Sequence, residues 1–142
     1  MREAACMRRA PLLVASVVVA AVGLAGCGQA DDRDSVRATT QRFLTAYEAD
    51  EGATACGALS QDTRKELESQ ESRPCADAIA EVELEPGAVT RVEVAVTNAK
   101  VDLASGESVF LSEQAAGWRI SALGCKPQGK PADEPFDCEL QA

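Results

Sequence analysis

The stretch VTRVEVAVTNAKVDLASGESVFLSEQAAGWRISALGC, residues 89–125, decides the fold of this chain. Apolar and polar residues alternate through most of it, which is the period of a strand with one buried face. In its first segment one predicted face is apolar and consists of Val92, Val94 and Val96. The other face consists of Arg91, Glu93 and Ala95. Turn-forming residues interrupt the pattern at 97–99, 104–107 and 114–117. The stretch therefore predicts four antiparallel strands joined as a meander.

The residues before this stretch follow a helical period instead. Residues of one predicted face recur at three- and four-residue spacing, and they are Val36, Thr40, Phe43, Leu44 and Tyr47. We expect this helix to begin at Asp34 or Ser35 and to end at Gly52. Shorter helices are expected at 53–60, at 62–69 and from Pro74. Residues 81–86 fit either a helix end or a strand start. The predicted fold class is α+β, with N-terminal helices packed on a four-stranded antiparallel meander sheet.

The first 26 residues have the layout of an export signal. A basic region is followed by an uncharged run from Pro11 to Gly26. Since about 20 apolar residues are needed to cross the hydrocarbon core of a membrane, the run is short for a permanent span. Met7 is an alternative start to Met1, because Met7 and the two arginines after it suffice as the basic region. The sequence thus predicts a signal peptide over residues 1–26.

The segment Leu24-Ala25-Gly26-Cys27 resembles a bacterial lipobox. In lipoproteins of that kind the cysteine sulfur receives a diacylglycerol, the signal is cut before the cysteine, and the new amine is often acylated, for example with palmitate. The resemblance implies cleavage between Gly26 and Cys27 and a membrane anchor on Cys27, at the extracytoplasmic face of the cell membrane. Residues 27–34 would then be the lipidated cysteine and a polar tether, whose last seven residues reach about 25 Å when extended.

Four cysteines remain after Cys6 is removed with the signal and Cys27 is assigned to lipid. An even number in an exported chain predicts disulfide bonds, and three pairings are open. We favour neighbours in sequence, Cys56 with Cys75 and Cys125 with Cys138. Loops of this length stabilise by about 3 kcal/mol in the chain-entropy model. Zinc is the competing interpretation, but the chain has no histidine and no Cys-x-x-Cys motif, so we expect no metal.

The charge balance limits the class of partner. Residues 1–26 hold three basic residues and one acidic residue, so the rest keeps 11 basic and 22 acidic residues and a net charge of −11. This charge disfavours nucleic acid, whose phosphates need a basic face, and it disfavours lying flat on anionic lipid. With no histidine the commonest general base is missing as well. We therefore expect a domain that is not an enzyme and needs no cofactor.

The predicted element order of this chain, with helices first and a curved antiparallel sheet after them, resembles that of the nuclear-transport-factor-2-like fold. The chain also resembles small exported lipoproteins that end in a comparable pattern, here carried by residues 109–111, 117–125, Pro127 and 137–138. The resemblance implies a single cone-shaped domain over residues 35–142. It leaves the function open, because that fold hosts many functions.

Two regions are candidate sites. Enzymes of the cone fold use a tyrosine and a carboxylate in a cavity, and in this chain Tyr47 with Glu93 or Asp102 would be that pair. A tyrosine that packs in the core, with its hydroxyl reaching the surface, is the simpler interpretation of Tyr47. The polar side of the sheet is the other region, with charged residues that suit cross-strand ion pairs or a partner surface. Phe110 is predicted to be exposed there, and an exposed apolar residue gains from being covered. The candidate partner face consists of Arg91, Glu93, Phe110 and Arg119.

These observations predict a membrane-anchored extracytoplasmic lipoprotein with a small non-catalytic binding or interaction domain. Its partners would be the membrane, through lipid on Cys27, and a protein or small molecule. The alternative is a cone-fold enzyme or a carrier of an apolar small ligand that uses a cavity near Tyr47.

Overall fold

A computed structural model describes residues 12–129 and 136–142, and for residues 12–27 it describes the helical backbone alone. The predicted cleavage site between Gly26 and Cys27 is thus described by its backbone alone, and the Cys27 thiol, the predicted lipid site, lies outside the described part. The chain divides into two units, Met1–Asp31 and Asp32–Ala142. The described residues of the first unit are helical. The second unit is α+β, as predicted, with helices preceding an antiparallel sheet.

Within the described residues, four α-helices precede the sheet. They are α1 (Leu12–Glu48), α2 (Gly52–Ala58), α3 (Gln61–Glu71) and α4 (Cys75–Ala78), which a 3-10 turn, Ile79–Glu81, prolongs. The hydroxyl of Ser60 accepts a hydrogen bond of 3.1 Å from the Thr63 backbone N–H and so caps α3. Pro74 stands at the N-cap of α4. Residues 82–88 are irregular, so the undecided segment 81–86 is a helix end followed by a loop.

The start predicted for the first long helix is wrong. The structure continues α1 through Gly28–Asp34, so this segment is helical and not an extended tether. Seven helical residues span about 10 Å, against about 25 Å when extended. Asp34 and Ser35 are residue types that commonly cap a helix N-terminus. They do not do so here, because the helical turns before them already belong to α1.

The sheet has six strands, two of them short. They are β1 (Val89–Ala95), β2 (Asn98–Leu103), β3 (Ser108–Gln114), β4 (Gly117–Pro127), β5 (Phe136–Asp137) and β6 (Leu140–Gln141). The first four form the predicted antiparallel meander. The sequence did not predict β5 and β6, which both pair with β4.

The first turn of the meander lies one residue earlier than predicted. Ala95 pairs with Asn98, which leaves a two-residue loop of Val96 and Thr97. Val96 has a φ of 55° and an exposed fraction of 89%, so its predicted place on the apolar face is wrong. Ala99, predicted to be part of the turn, is a buried residue of β2.

Strand β4 is bent by two irregularities. Phe110 pairs with Ala122 and Leu111 pairs with Ile120, so Ser121 is an extra residue on β4. The register shifts again before Cys125, where Gly124 has a φ of +62°. The bulge at Ser121 moves Ala122 to the face of the sheet that carries Phe110. A strict period of two cannot predict this reversal.

The helices cover one face of the sheet, which we call the inner face. Val101, Val109 and Ile120 are fully buried there. They form one cluster with residues of the helical layer, namely Val36, Phe43, Leu67 and Ile79 from helices and Leu59, which follows α2 and bridges to Ile120. The predicted face of the first helix is confirmed, because Val36, Thr40 and Phe43 are each 0% exposed. The core is therefore a helical layer packed on one sheet face.

Both favoured disulfide bonds are present. Cys56 is bonded to Cys75 and thereby joins α2 to α4. Cys125 is bonded to Cys138, which ties the C-terminal residues to β4. The two bonds pair all four cysteines that follow Cys27.

Candidate functional site on the outer face of the sheet

The face of the sheet opposite the helices, here called the outer face, brings the predicted partner residues together. Glu93 pairs with Lys100, Lys100 with Phe110, and Phe110 with Ala122, so these side chains share one face. The rows on either side contain Arg91, Asp102, Asn98, Ser112 and Arg119. All four residues of the predicted partner face thus lie on the outer face, although the sequence had not specified which residues would pair across neighbouring strands.

The ion pairs of this face run along strands, where the sequence suggested pairs across them. Lys100 Nζ lies 2.8 Å from Asp102 Oδ1, two residues further along β2. Arg91 forms the corresponding pair with Glu93 on β1. The second pair is largely exposed, so it contributes little to stability. Charge is therefore balanced locally on the half of the outer face formed by β1 and β2.

Asp102 is the most perturbed carboxyl of this face. Partial burial by itself would raise its pKa, but hydrogen bonds with Lys100 and Ser108 and the charges of Lys100 and Arg91 outweigh that effect. The net result is a pKa below the ordinary value of 3.8. The Ser108 hydroxyl donates at 2.8 Å to the same Oδ1 that faces Lys100. Asp102 thus holds its negative charge and fixes the position of Lys100.

The prediction that Phe110 is exposed is wrong. Its ring is half-buried and meets the ring of Phe136 edge to face, with 5.0 Å between centroids. Lys100 Nζ lies 5.2 Å from the centroid of the Phe136 ring, within the range of a cation–π contact. Phe136 belongs to β5, and the nearby Cys125–Cys138 bond holds this segment against the sheet. Phe136 therefore covers part of the Phe110 ring, which we had expected a partner to cover.

A groove of about 380 Å³ opens beside these two rings. Phe110, Phe136 and Ala122 give it apolar lining. Its rim carries hydrogen-bonding side chains, contributed by Asn98, Ser121 and Gln141. A few polar groups placed around an apolar surface are typical of a ligand site. The groove forms because the Ser121 bulge turns Ala122 toward the outer face. Residues of β5 and β6, which pair with β4, complete its lining.

Tyr47 has a structural role on the other side of the sheet. Its hydroxyl donates a hydrogen bond of 2.8 Å to the Val82 carbonyl, and its ring stacks on Phe43 at 6.0 Å. Glu93 and Asp102 lie on the outer face, so the structure does not bring either carboxylate to Tyr47. The small pocket beside Tyr47 has a volume of about 40 Å³, enough for about one water molecule.

An acidic cleft of about 420 Å³ lies near the same tyrosine, and the sequence did not single it out. Its buried member is Glu107, which is 1% exposed. Glu107 Oε2 accepts a hydrogen bond from the Glu85 backbone N–H at 3.1 Å, and Oε1 lies 3.3 Å from Lys126 Nζ. Glu107 raises the pKa of Lys126. No signal distinguished Glu107, because it sits in a Ser-Gly turn where an exposed acid is ordinary.

Searches for other sites and for relatives add no assignment. Within residues 12–129 and 136–142, no group of three or more histidine, cysteine or acidic side chains is placed to hold a metal ion. No helix in that part of the chain has the length and apolar character of a membrane span. No protein-family model, no curated protein and no solved structure matches the chain.

Proposed function

We propose that the protein is an exported lipoprotein, anchored by a diacylglycerol on Cys27 and carrying a non-catalytic binding domain outside the cytoplasm. The observation that carries the anchor is Leu24-Ala25-Gly26-Cys27, placed directly after a basic region and an apolar run. The disulfide bonds support it, since they pair the four later cysteines with each other and leave Cys27 for lipid.

The binding site of this proposal is the groove between Phe110 and Phe136. Two aromatic rings, a cation at 5.2 Å from one of them and a polar rim suit an apolar or aromatic group on a protein or small molecule. A ligand cavity beside Tyr47 is disfavoured by its volume of about 40 Å³. The adjoining cleft has four glutamates and a lysine among its nine lining residues and does not suit an apolar ligand.

We further propose that residues 35–142 are a cone-shaped domain of the nuclear-transport-factor-2-like class. The support is the element order, with helices first and a bulged antiparallel meander after them. Bulges increase the bend and twist of a strand, as a cone-shaped sheet requires. The proposal concerns the fold alone and assigns no activity.

The anchor is tested by cell fractionation of Cys27→Ala beside Cys6→Ala. We expect Cys27→Ala to accumulate as an uncut precursor without lipid, because the sulfur that accepts the diacylglycerol is gone. Cys6→Ala should be processed like the unchanged protein, since Cys6 is removed with the signal. Normal cleavage and membrane retention of Cys27→Ala would contradict the anchor.

The groove is tested by photocrosslinking in intact membranes. A photoreactive benzophenone side chain replaces Ser112, which lies beside Phe110 on the outer face, or Lys65, which is exposed on α3. We expect an adduct from position 112 that position 65 does not give, and we expect Phe110→Asp to abolish it. Identical adducts from both positions, or none from position 112, would refute the outer face as the binding surface.

A further inference from the structure

The end of the sheet that carries the first and third turns of the meander lies next to the start of the domain. The indole N–H of Trp118 donates a long hydrogen bond of 3.4 Å to Asp32 Oδ1. Trp118 pairs with Glu113 near the turn of Ala115 and Ala116. The Glu113 backbone N–H donates at 2.8 Å to the Thr97 carbonyl in the turn of Val96 and Thr97. We call the two turns, residues 96–97 and 115–116, the tip of the sheet.

The tip is close to the proposed lipid site by chain length alone. Four residues separate Cys27 from Asp32, so even a fully extended chain keeps the two Cα atoms within roughly 18 Å. The opposite turn, at Ser105, lies beyond β3, whose seven residues span about 23 Å. This reach is shorter than the length of β3, so the chain holds a lipid on Cys27 within reach of the tip.

The tip carries an apolar side chain, that of Val96, which is not packed in the core and is not favoured by the conformation of the turn. Among the described residues, Val96 is the only large apolar one that is exposed, with an exposed fraction of 89%. Its φ of 55° is a conformation that β-branched residues avoid and that glycine or asparagine would adopt more easily. Ala115 and Ala116 are exposed in the neighbouring turn. Valine at this position is unfavourable for the turn and buries nothing within the domain.

We propose that the tip is a membrane-contact surface, with Val96 inserted among the lipid headgroups and Ala115 and Ala116 lying against them. This inference rests on the proposed lipid anchor, which holds the tip at the bilayer at a high effective concentration, so that a small apolar contact suffices. Burial in the interface gives Val96 the apolar environment that the domain does not provide.

The charges around the tip select the kind of lipid. Glu113 is exposed beside the tip and Asp32 accepts the Trp118 indole bond, with Arg119 as the cation next to them. Their net negative charge is repelled by anionic lipid, so the contact is apolar and favours zwitterionic headgroups. The domain thus stands upright on its tip, and the outer-face groove stays accessible.

The test uses the full lipidated protein in phosphatidylcholine vesicles. A nitroxide label is placed on Val96→Cys, on Ala115→Cys as a second site at the tip, or on Ser105→Cys as the matched control in the opposite turn. Cosedimentation with the vesicles reports the anchor, and collision with a water-soluble nickel chelate reports exposure of the label.

We expect all three labelled proteins to cosediment, and the labels at 96 and 115 to collide with the chelate at least about threefold less than the label at 105. Adding anionic phosphatidylglycerol should reduce this protection. Cosedimentation with equal collision at all three sites would overturn the tip contact and leave the anchor standing. Loss of cosedimentation would overturn both.

Discussion

Trp118 and Asp32 join the last long strand to the segment that follows the proposed lipid site. The indole N–H of Trp118 donates to Asp32 Oδ1 at 3.4 Å, across 86 residues of sequence. Trp118 is the single tryptophan of the chain and is 4% exposed, so its fluorescence reports this contact without interference. Residues near the start of the domain are thereby held against the sheet.

Asp32→Ala should therefore change the emission of Trp118 and lower the free energy of unfolding by about 0.5–1.5 kcal/mol, because the indole N–H loses its acceptor. Asp32→Asn keeps an acceptor oxygen and should cost less. Urea unfolding followed by tryptophan fluorescence measures both effects. Asp31→Ala, which removes the exposed neighbouring carboxylate, is the control. Equal spectra for Asp32→Ala and the control would argue against the contact.

The rings of Phe110 and Phe136 should be energetically coupled. A double-mutant cycle to alanine is expected to give a coupling free energy of about 0.5–1.5 kcal/mol, since the edge-to-face contact exists only when both rings are present. The control cycle combines Phe110→Ala with Leu67→Ala, whose site is in the core on the inner face. Strict additivity in the Phe110–Phe136 cycle would mean that the C-terminal segment does not cover Phe110 in solution.

Two glycines of α2 should respond to alanine in opposite directions. A Cβ at Gly52 would lie 1.9 Å from the Ala76 carbonyl oxygen, whereas a Cβ at Gly57 meets nothing within 4 Å. Gly52→Ala should destabilise by about 1–3 kcal/mol through overpacking against backbone. Gly57→Ala should stabilise by up to about 1 kcal/mol, because alanine is the better helix former. Thermal unfolding of the pair measures this, and a stable Gly52→Ala would place α4 further from α2.

Asp102 should make stability depend on pH in the acid range. Its pKa is lower in the folded protein than the ordinary 3.8, so its ionisation stabilises the fold above that value and the contribution is lost as pH falls through the folded pKa. Asp102→Asn should therefore flatten the decline of the unfolding free energy as the pH falls below the ordinary carboxyl pKa of 3.8. Glu113→Gln, an exposed carboxyl on β3, is the control. An unchanged slope for Asp102→Asn would contradict the role of Lys100 and Ser108.

Local patterns predicted the parts of the fold that depend on local period. The alternation in 89–125 identified four strands, and the face of Val36, Thr40 and Phe43 identified the helix that covers them. The even cysteine count and the preference for neighbours in sequence predicted both disulfide bonds. Each of these features depends on a short-range property of the chain. For the strands and the helix it is the direction of successive side chains, and for the disulfide bonds it is the length of the closed loop.

Features that depend on pairing between distant residues were not predicted. The bulge at Ser121 needs the register of β4 against β3, and the cover on Phe110 needs Phe136 from a two-residue strand. Val96 continued the period of two, yet the pairing of Ala95 with Asn98 places it in the turn. The outer-face groove follows from these tertiary pairings, so the sequence indicated the face but not the groove.

The intact mass of the protein extracted from membranes shows whether Cys27 is the lipid anchor of the mature protein. We expect a chain that begins at Cys27, with both disulfide bonds formed and with the added mass of a diacylglycerol and, where the amine is acylated, one further acyl chain. A mature chain that keeps residues before Cys27, or one that begins there with an unmodified sulfur, would contradict the anchor.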